Sequence, residues 1–243
     1  MRCFTFAKRC TKEILRDPLN LAFGLGFPIV VLLLLSAIQA NIPVELFEIQ
    51  NITPGITVFG LSFMTLFSAT LISKDRKTSL LQRLYTTPMK STDFILGYTL
   101  PIIPISLAQC AVCYFVALIL GLKPSITILY AIIAILPISL LFISLGLLCG
   151  SIFNDKQVGG ICGALLTNLS AWLSGVWFDL ELVGGTFKKI AYALPFVHAV
   201  EMERAVLSGS LTDIFPHLCW VLAYALVFLA IAVCLFLRQM KKQ

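Results

Sequence analysis

Residues Ile126–Phe153 read ITILYAIIAILPISLLFISLGLLCGSIF, twenty-eight positions without one Asp, Glu, Lys or Arg. A hydrocarbon core about 30 Å thick needs roughly 20 apolar residues in a helix, so this run can cross a bilayer with length left for tilt or protrusion. The run does not alternate with period two. In lipid only helices and closed barrels satisfy every backbone polar group, so the stretch reads as helix. Pro137 removes one helix hydrogen bond and marks a natural kink point.

Working outward, comparable runs lie on both sides, and six spans are expected at about 19–40, 55–72, 94–121, 126–153, 158–178 and 215–237. Pro101 and Pro104 supply kink points in the third. Composition agrees: 59% of the 243 residues are hydrophobic and 12% charged, against about 25% charged in soluble domains. Most of the chain is thereby excluded from water. The fold expected is an all-α polytopic membrane protein, a single transmembrane domain over residues 1–243.

Basic residues set the orientation. Arg2, Lys8, Arg9, Lys12 and Arg16 precede the first span, and Lys74, Arg76, Lys77, Arg83 and Lys90 join the second to the third. Lys156 lies between the fourth and fifth, and Arg238, Lys241 and Lys242 follow the sixth. That places fourteen basic residues on one side, against Lys123, Lys188, Lys189 and Arg204 on the other. Lys and Arg favour the cytoplasmic side, so both termini are expected there. The net charge of +6 is a topology signal and calls for no nucleic acid. The run after Leu19 exceeds a signal-peptide core and Ile38 is a poor residue before a cut after Ala40, so a retained first span is expected.

Three segments exceed a bare bundle. In residues 2–16, Cys3, Phe6, Ala7, Cys10 and Ile14 recur at helical spacing with the charges mostly elsewhere, as in a helix lying in the membrane interface. A basic flank that merely enforces orientation is the plainer alternative. Ser73–Asp93, SKDRKTSLLQRLYTTPMKSTD, starts highly charged and then offers Leu80, Leu81 and Leu84, with Tyr85 beside them. Thr87 and Pro88 resemble an N-cap and first helical residue. Two short helical pieces with a bend, one presenting an apolar edge that a groove could accept, are expected here. An ordinary basic loop resting on the membrane is the alternative. In Asp179–Ile214, Phe187–Pro195 and Phe196–Leu207 are too short to span, with Pro195 able to open the second piece and Gly209 to close it. Both are candidates for re-entrant or interfacial helices on the outer face. Glu201 and Arg204, three apart, can pair on one helical face.

The sequence lacks a G-x-x-x-x-G-K-[ST] phosphate loop, so the chain is not expected to hydrolyse nucleotide. His198 and Glu201 could supply two metal ligands, but a zinc site needs three or four and the only other histidine is His217. The cysteines at 110, 113, 149, 162, 219 and 234 sit in apolar runs and read as packing residues. No Asp, Glu, Lys or Arg falls in the central part of a span. Ion-coupled carriers usually bury such groups, so this pattern favours energy supplied from outside the membrane and an apolar or amphipathic cargo.

Lys74, Asp75, Arg76, Arg83, Leu84, Thr87 and Pro88 fall where ABC transporter permeases of the type-2 exporter class carry K-[ED]-R-x-x-x-x-x-x-R-L-x-x-[ST]-P, with Asp75 in place of the commoner Glu. Arg16-Asp17-Pro18 is similar to that family's entry to its first span. Leu194-Pro195, His198-Ala199 and Arg204 resemble its outer segment. The resemblance implies six spans, an N-terminal interfacial helix, a cytoplasmic coupling helix and outer re-entrant helices before the last span. It implies a permease that dimerises, with itself or a related chain, and works with two copies of a cytoplasmic ABC ATPase. The cofactors ATP and Mg would sit on that partner and none on this chain. Lys74, Asp75, Arg76, Leu80, Leu81, Arg83, Leu84, Tyr85 and Pro88 would couple to the ATPase, and Pro195, His198, Glu201 and Arg204 would mark the outer segment. The function expected is the transmembrane subunit of an ATP-driven exporter in a bacterial plasma membrane, its cargo a drug, antimicrobial peptide or lipid-like molecule. An ATP-independent channel or secondary carrier, or a non-transporting immunity or scaffold protein, is the competing reading.

Overall fold

The computed structural model describes residues 2–42, 47–78, 80 and 91–241, and no strand occurs among them. Helix α1 (Arg2–Leu15) precedes α2 (Pro18–Leu21), where Asp17 accepts from the Asn20 amide at 3.3 Å and Pro18 takes the first helical position. A π-helical turn, Ala22–Gly26, leads into α3 (Phe27–Asn41). Then come α4 (Ile49–Lys77), α5 (Ser91–Thr99), α6 (Ile102–Ile119) and α7 (Ile126–Ile152). The chain continues through α8 (Asp155–Gly160), a second π-helical turn at Ile161–Leu166, and α9 (Thr167–Leu173). It ends with α10 (Leu180–Val183), α11 (Gly185–Ala193), α12 (Pro195–Ser208) and α13 (Leu211–Lys241).

Among the described residues, five helical stretches are long and apolar enough to cross a membrane: Pro18–Asn41, Ile49–Lys77, Thr92–Ile119, Ile126–Ile152 and Thr212–Arg238. The third turns at Leu100–Pro101, between α5 and α6, where the proline ring cannot continue the hydrogen-bond ladder. Helix α7 runs through Pro137. The remaining expected span, 158–178, differs in form. Its helix begins at Asp155, capped reciprocally by Asn154 and Gln157, is broken by the π turn, and stops at Leu173. Gly175, at φ +70°, turns the chain there, so the helix ends before the expected Phe178. Gly159, Gly160, Gly163 and Asn168 make this run a weaker helix former than the other five.

Helix α4 is the axis of the bundle, packed by α3, α6, α7, α8 and α12. Its contact with α7 is close because Gly146 and Gly150 form a G-x-x-x-G stripe. A Cβ on Gly146 would run into the Ser68 hydroxyl and Thr65 carbonyl, and one on Gly150 would lie 2.8 Å from the Ala69 carbonyl. Small residues at this spacing let two backbones approach in lipid. Thr65 Oγ1 then donates to the Phe142 carbonyl at 2.9 Å.

The apolar stripe of α1 is covered by protein, a refinement of the interfacial-helix reading. Phe6, Ala7, Cys10 and Ile14 are buried, and the Phe6 ring meets Phe94 and Tyr98 of α5 edge-on at 5.8 and 5.0 Å. Edge-to-face rings add roughly 1 kcal/mol each to area burial, so α1 docks on the bundle by the face its periodicity displays.

Candidate functional site

Four consecutive charged residues end α4, and the structure engages all of them within the chain. Asp75 is only 1% exposed. It receives Arg9 of α1 in two-pronged fashion, Nη1 to Oδ2 at 2.6 Å and Nη2 to Oδ1 at 2.5 Å, and the Tyr98 hydroxyl of α5 donates to Oδ2 at 2.8 Å. Arg9 also reaches Glu13 at 2.7 Å, and the Asp75 hydrogen bond pushes its guanidinium further above its ordinary range. Arg76 Nη1 donates to the carbonyls of Gly150 and Phe153 at 2.9 and 3.3 Å, where α7 ends with carbonyls that lack helical partners. Lys74 lies 3.6 Å from Asp17, the cap of α2, and Lys77 lies 3.3 Å from Asp155 in the first turn of α8.

The α4 terminus is therefore a node tying α1, α2, α5, α7 and α8 together. A doubly hydrogen-bonded Arg–carboxylate pair fixes orientation as well as distance, and a cation on the last carbonyls of α7 suits the negative end of that helix. Of the residues expected to couple to an ATPase, Lys74, Asp75 and Arg76 are turned to this internal use. Leu80 is half-buried. Leu81, Arg83, Leu84, Tyr85 and Pro88 lie outside the described residues. Burial pushes the Cys10 thiol up to about 12, which leaves it a packing residue.

A second group lies at the opposite end of α4. Twenty-four residues of helix between Asn51 and Asp75 amount to about 36 Å. Pro195 opens α12, and Gly209, at φ +79°, closes it in the left-handed cap position. Glu201 and Arg204 pair at 2.8 Å, and Arg204 also donates to the carbonyls of Asn51 at 3.3 Å and Gly175 at 3.4 Å. His198 Nε2 lies 3.0 Å from the Tyr192 carbonyl, and its Nδ1 lies 2.9 Å from His217 Nδ1. A carbonyl only accepts, so His198 carries its proton on Nε2 and the His217 Nδ1–H donates to His198 Nδ1. Burial lowers the His198 pKa. Its ring stacks on Trp220 at 4.9 Å. Glu201, Arg204, Lys123, Asp213 and His217 face an open cavity of about 740 Å³. Among the described residues no three His, Cys, Asp or Glu side chains form a metal site.

Glu203, on the other face of α12, is fully buried. Its Oε1 accepts from the Tyr114 hydroxyl of α6 at 2.9 Å, while Oε2 has no hydrogen-bond partner among the described residues. Desolvation pushes this carboxyl up to about 8, so its neutral form is favoured.

Residues 1–208 match the family model for the ABC-2 type transporter. The chain belongs to the ABC-2 type transporter family. It is a multi-pass permease, the transmembrane component of an ABC-type transporter, and in this family ATPase activity resides on separate subunits with which the permease normally pairs. No curated protein matches the chain significantly. In this ABC-2 permease, sequence reasoning passed over Arg9, Tyr98, Glu203 and the histidine pairing. Arg9 was one charge in a basic flank, and only the folded chain brings it to Asp75. Glu203 left a faint signal, sitting between Val200 and Val206 on an otherwise apolar helical face.

Proposed function

We propose that this permease is the membrane subunit of an ATP-driven exporter for a hydrophobic or amphipathic cargo such as a drug, an antimicrobial peptide or a lipid-like molecule. The observation that carries the reading is the node at Lys74–Lys77. A force applied to the segment after Lys77 reaches α4 directly and, through the four charged ties, reaches α1, α2, α5, α7 and α8. In this reading Lys74, Asp75 and Arg76 transmit, while Leu80, Leu81, Arg83, Leu84, Tyr85 and Pro88 supply the grip for the ATPase. Two copies of that subunit would bind ATP and Mg, and a second copy of the permease or a related chain would complete the pathway.

The fifth crossing is assigned to α8, its π turn and α9, segments of 6, 6 and 7 residues that span about 28 Å at 1.5 Å per residue. With six crossings, the excess of Lys and Arg places both termini and the α4 node in the cytoplasm. Helix α1 then lies at the inner interface, and α11 and α12 form the outer segment. The membrane is read as a bacterial plasma membrane, with residues 1–243 one permease domain.

The test is reconstitution with the ATPase subunit. Transport-coupled hydrolysis is expected from the complex, none from the permease alone, and hydrolysis without transport from Arg83→Glu. Hydrolysis by the lone chain, or unchanged transport in Arg83→Glu, overturns the reading. A second reading draws on Glu203, since buried carboxyls serve proton-coupled carriers. That reading predicts uptake or efflux driven by a pH gradient without any ATPase.

A further inference from the structure

Viewed down its axis, α1 presents an exposed arc opposite the face docked on the bundle. Phe4 and Leu15 stand on one edge of that arc, 73% and 61% exposed. Lys8, Lys12 and Arg16 follow around the helix, all exposed. None of these three cations has an ion pair among the described residues. With Thr5, Arg9 and Glu13 they line an open groove of about 680 Å³. The apolar edge does not end with the helix: Leu19, Phe23, Phe27 and Val30 continue it down the first span, all exposed.

We propose that this arc binds the phosphate headgroups of anionic phospholipids, and that lipid so bound steadies the α4 node. The proposal rests on the exporter reading for its consequence, and on the arc alone for the binding. Three observations select lipid as the occupant. The cationic arc adjoins an apolar edge, the arrangement by which a helix lies in the headgroup boundary of a charged leaflet. That edge is continuous with the exposed face of a membrane span, so both meet the same bilayer. Arg16, Asp17 and Pro18 stand where the first span begins, which is headgroup depth. Clustered Lys and Arg at that depth are attracted to anionic lipid surfaces.

The consequence follows from Arg9. It lines the groove on one side and holds Asp75 on the other, through the bonds described above. A phosphate held by Lys8, Lys12 and Arg16 fixes α1 at the membrane surface, and with it the Arg9 end of the pair. Without anionic lipid, α1 keeps its docked face but loses its anchor on the outer arc. The force arriving through the segment after Lys77 then moves α1 as well as the spans, and less of it does work on the spans.

The test uses the full chain in nanodiscs of equal parts phosphatidylglycerol and phosphatidylcholine, with the lipids retained on detergent release counted by native mass spectrometry. Wild type is expected to retain phosphatidylglycerol selectively. Lys8→Gln, Lys12→Gln and Arg16→Gln should each lower that selectivity roughly fivefold, and added salt should do the same. A Lys188→Gln/Lys189→Gln control, at the opposite end, should change nothing. Unchanged selectivity in the triple Gln variant, with an unchanged thermal midpoint, overturns the proposal. Should that variant keep its lipid but fail to capture the ATPase subunit, the arc is a protein contact and the lipid proposal falls. Failure of ATP-driven efflux in phosphatidylglycerol membranes would strike the exporter reading and leave the lipid counts untouched.

Discussion

Arg9 and Asp75, sixty-six residues apart, are joined by two hydrogen bonds of 2.6 and 2.5 Å across the junction of the first helix with the end of the fourth. The carboxylate is buried, and the Tyr98 hydroxyl at 2.8 Å is the third contact it makes. A buried carboxylate is tolerated only when its charge is matched and its lone pairs are used. Arg9 matches the charge and Tyr98 adds a third hydrogen bond, so α1 is held to α4 by this pair as it is held to α5 by the Phe6 ring contacts.

Removing one partner should therefore cost more than removing both. Arg9→Ala is expected to destabilise the protein by about 3 kcal/mol, because Asp75 would be left charged and buried. The double variant Arg9→Leu/Asp75→Leu should recover much of that loss. Thermal unfolding of the detergent-solubilised single and double variants checks the order. Equal losses in both would refute the pair as a charge-matching device.

The close approach of α4 and α7 depends on Gly146. Gly146→Ala puts a methyl group into the Ser68 hydroxyl and the Thr65 carbonyl, and backbone cannot step aside as a side-chain tip can. Overpacking of this kind costs about 1–3 kcal/mol. Gly159→Ala, with nothing within 4 Å of the new Cβ, should be neutral or slightly stabilising. The yield of monodisperse protein for the two variants separates these outcomes.

Glu203 predicts a loss of stability as the pH rises from the acid side towards 8. Its carboxyl is raised from 4.5 to about 8 by burial, so between those values the folded state holds a proton that the unfolded state has released. Stability then falls as pH rises from about 4.5 to about 8, and levels off above. Glu203→Gln keeps an acceptor for the Tyr114 hydroxyl and has no proton to lose. Its melting temperature should be higher than wild type at pH 8 and should lack this slope.

His198 predicts the opposite slope on the acid side. Its folded pKa is lowered below 6.5, so the unfolded state binds the extra proton first and stability drops as pH falls through 6.5. Protonation of His198 on Nδ1 would also set two N–H groups against each other across the His217 contact. In a Glu203→Gln background, with Trp172 and Trp177 replaced by Phe, the fluorescence of Trp220 should change with the acid transition. His198→Gln should remove both the transition and the spectral change. A Trp220 signal flat between pH 5 and 7 would contradict the tautomer assignment.

Much of the fold is legible in residue order. The run at 126–153 and its counterparts are long, apolar and uncharged, and lipid leaves such segments little choice but helix. The helical limits at Pro195 and Gly209 are equally local, set by a ring that fits the first turn and a residue free to take positive φ. The run at 158–178 is less legible, because its glycines and polar residues weaken the helix and a π turn divides it. At the end of α4 the motif singles out Lys74, Asp75 and Arg76, but it does not say that Asp75 and Arg76 face inward, since exposure belongs to the assembled bundle.

By itself, then, the sequence determined that the chain is a helical membrane protein, where its apolar runs lie and which ends carry the positive charge. These properties are sums over neighbouring residues, and solvent acts on them directly. Only the tertiary structure decided that Arg9 meets Asp75, that Arg76 caps α7, that Glu203 is sealed against Tyr114 and that His198 faces His217. Each of these joins groups from separate helices, and a pairing energy at a few ångströms exists only after packing has set the distance.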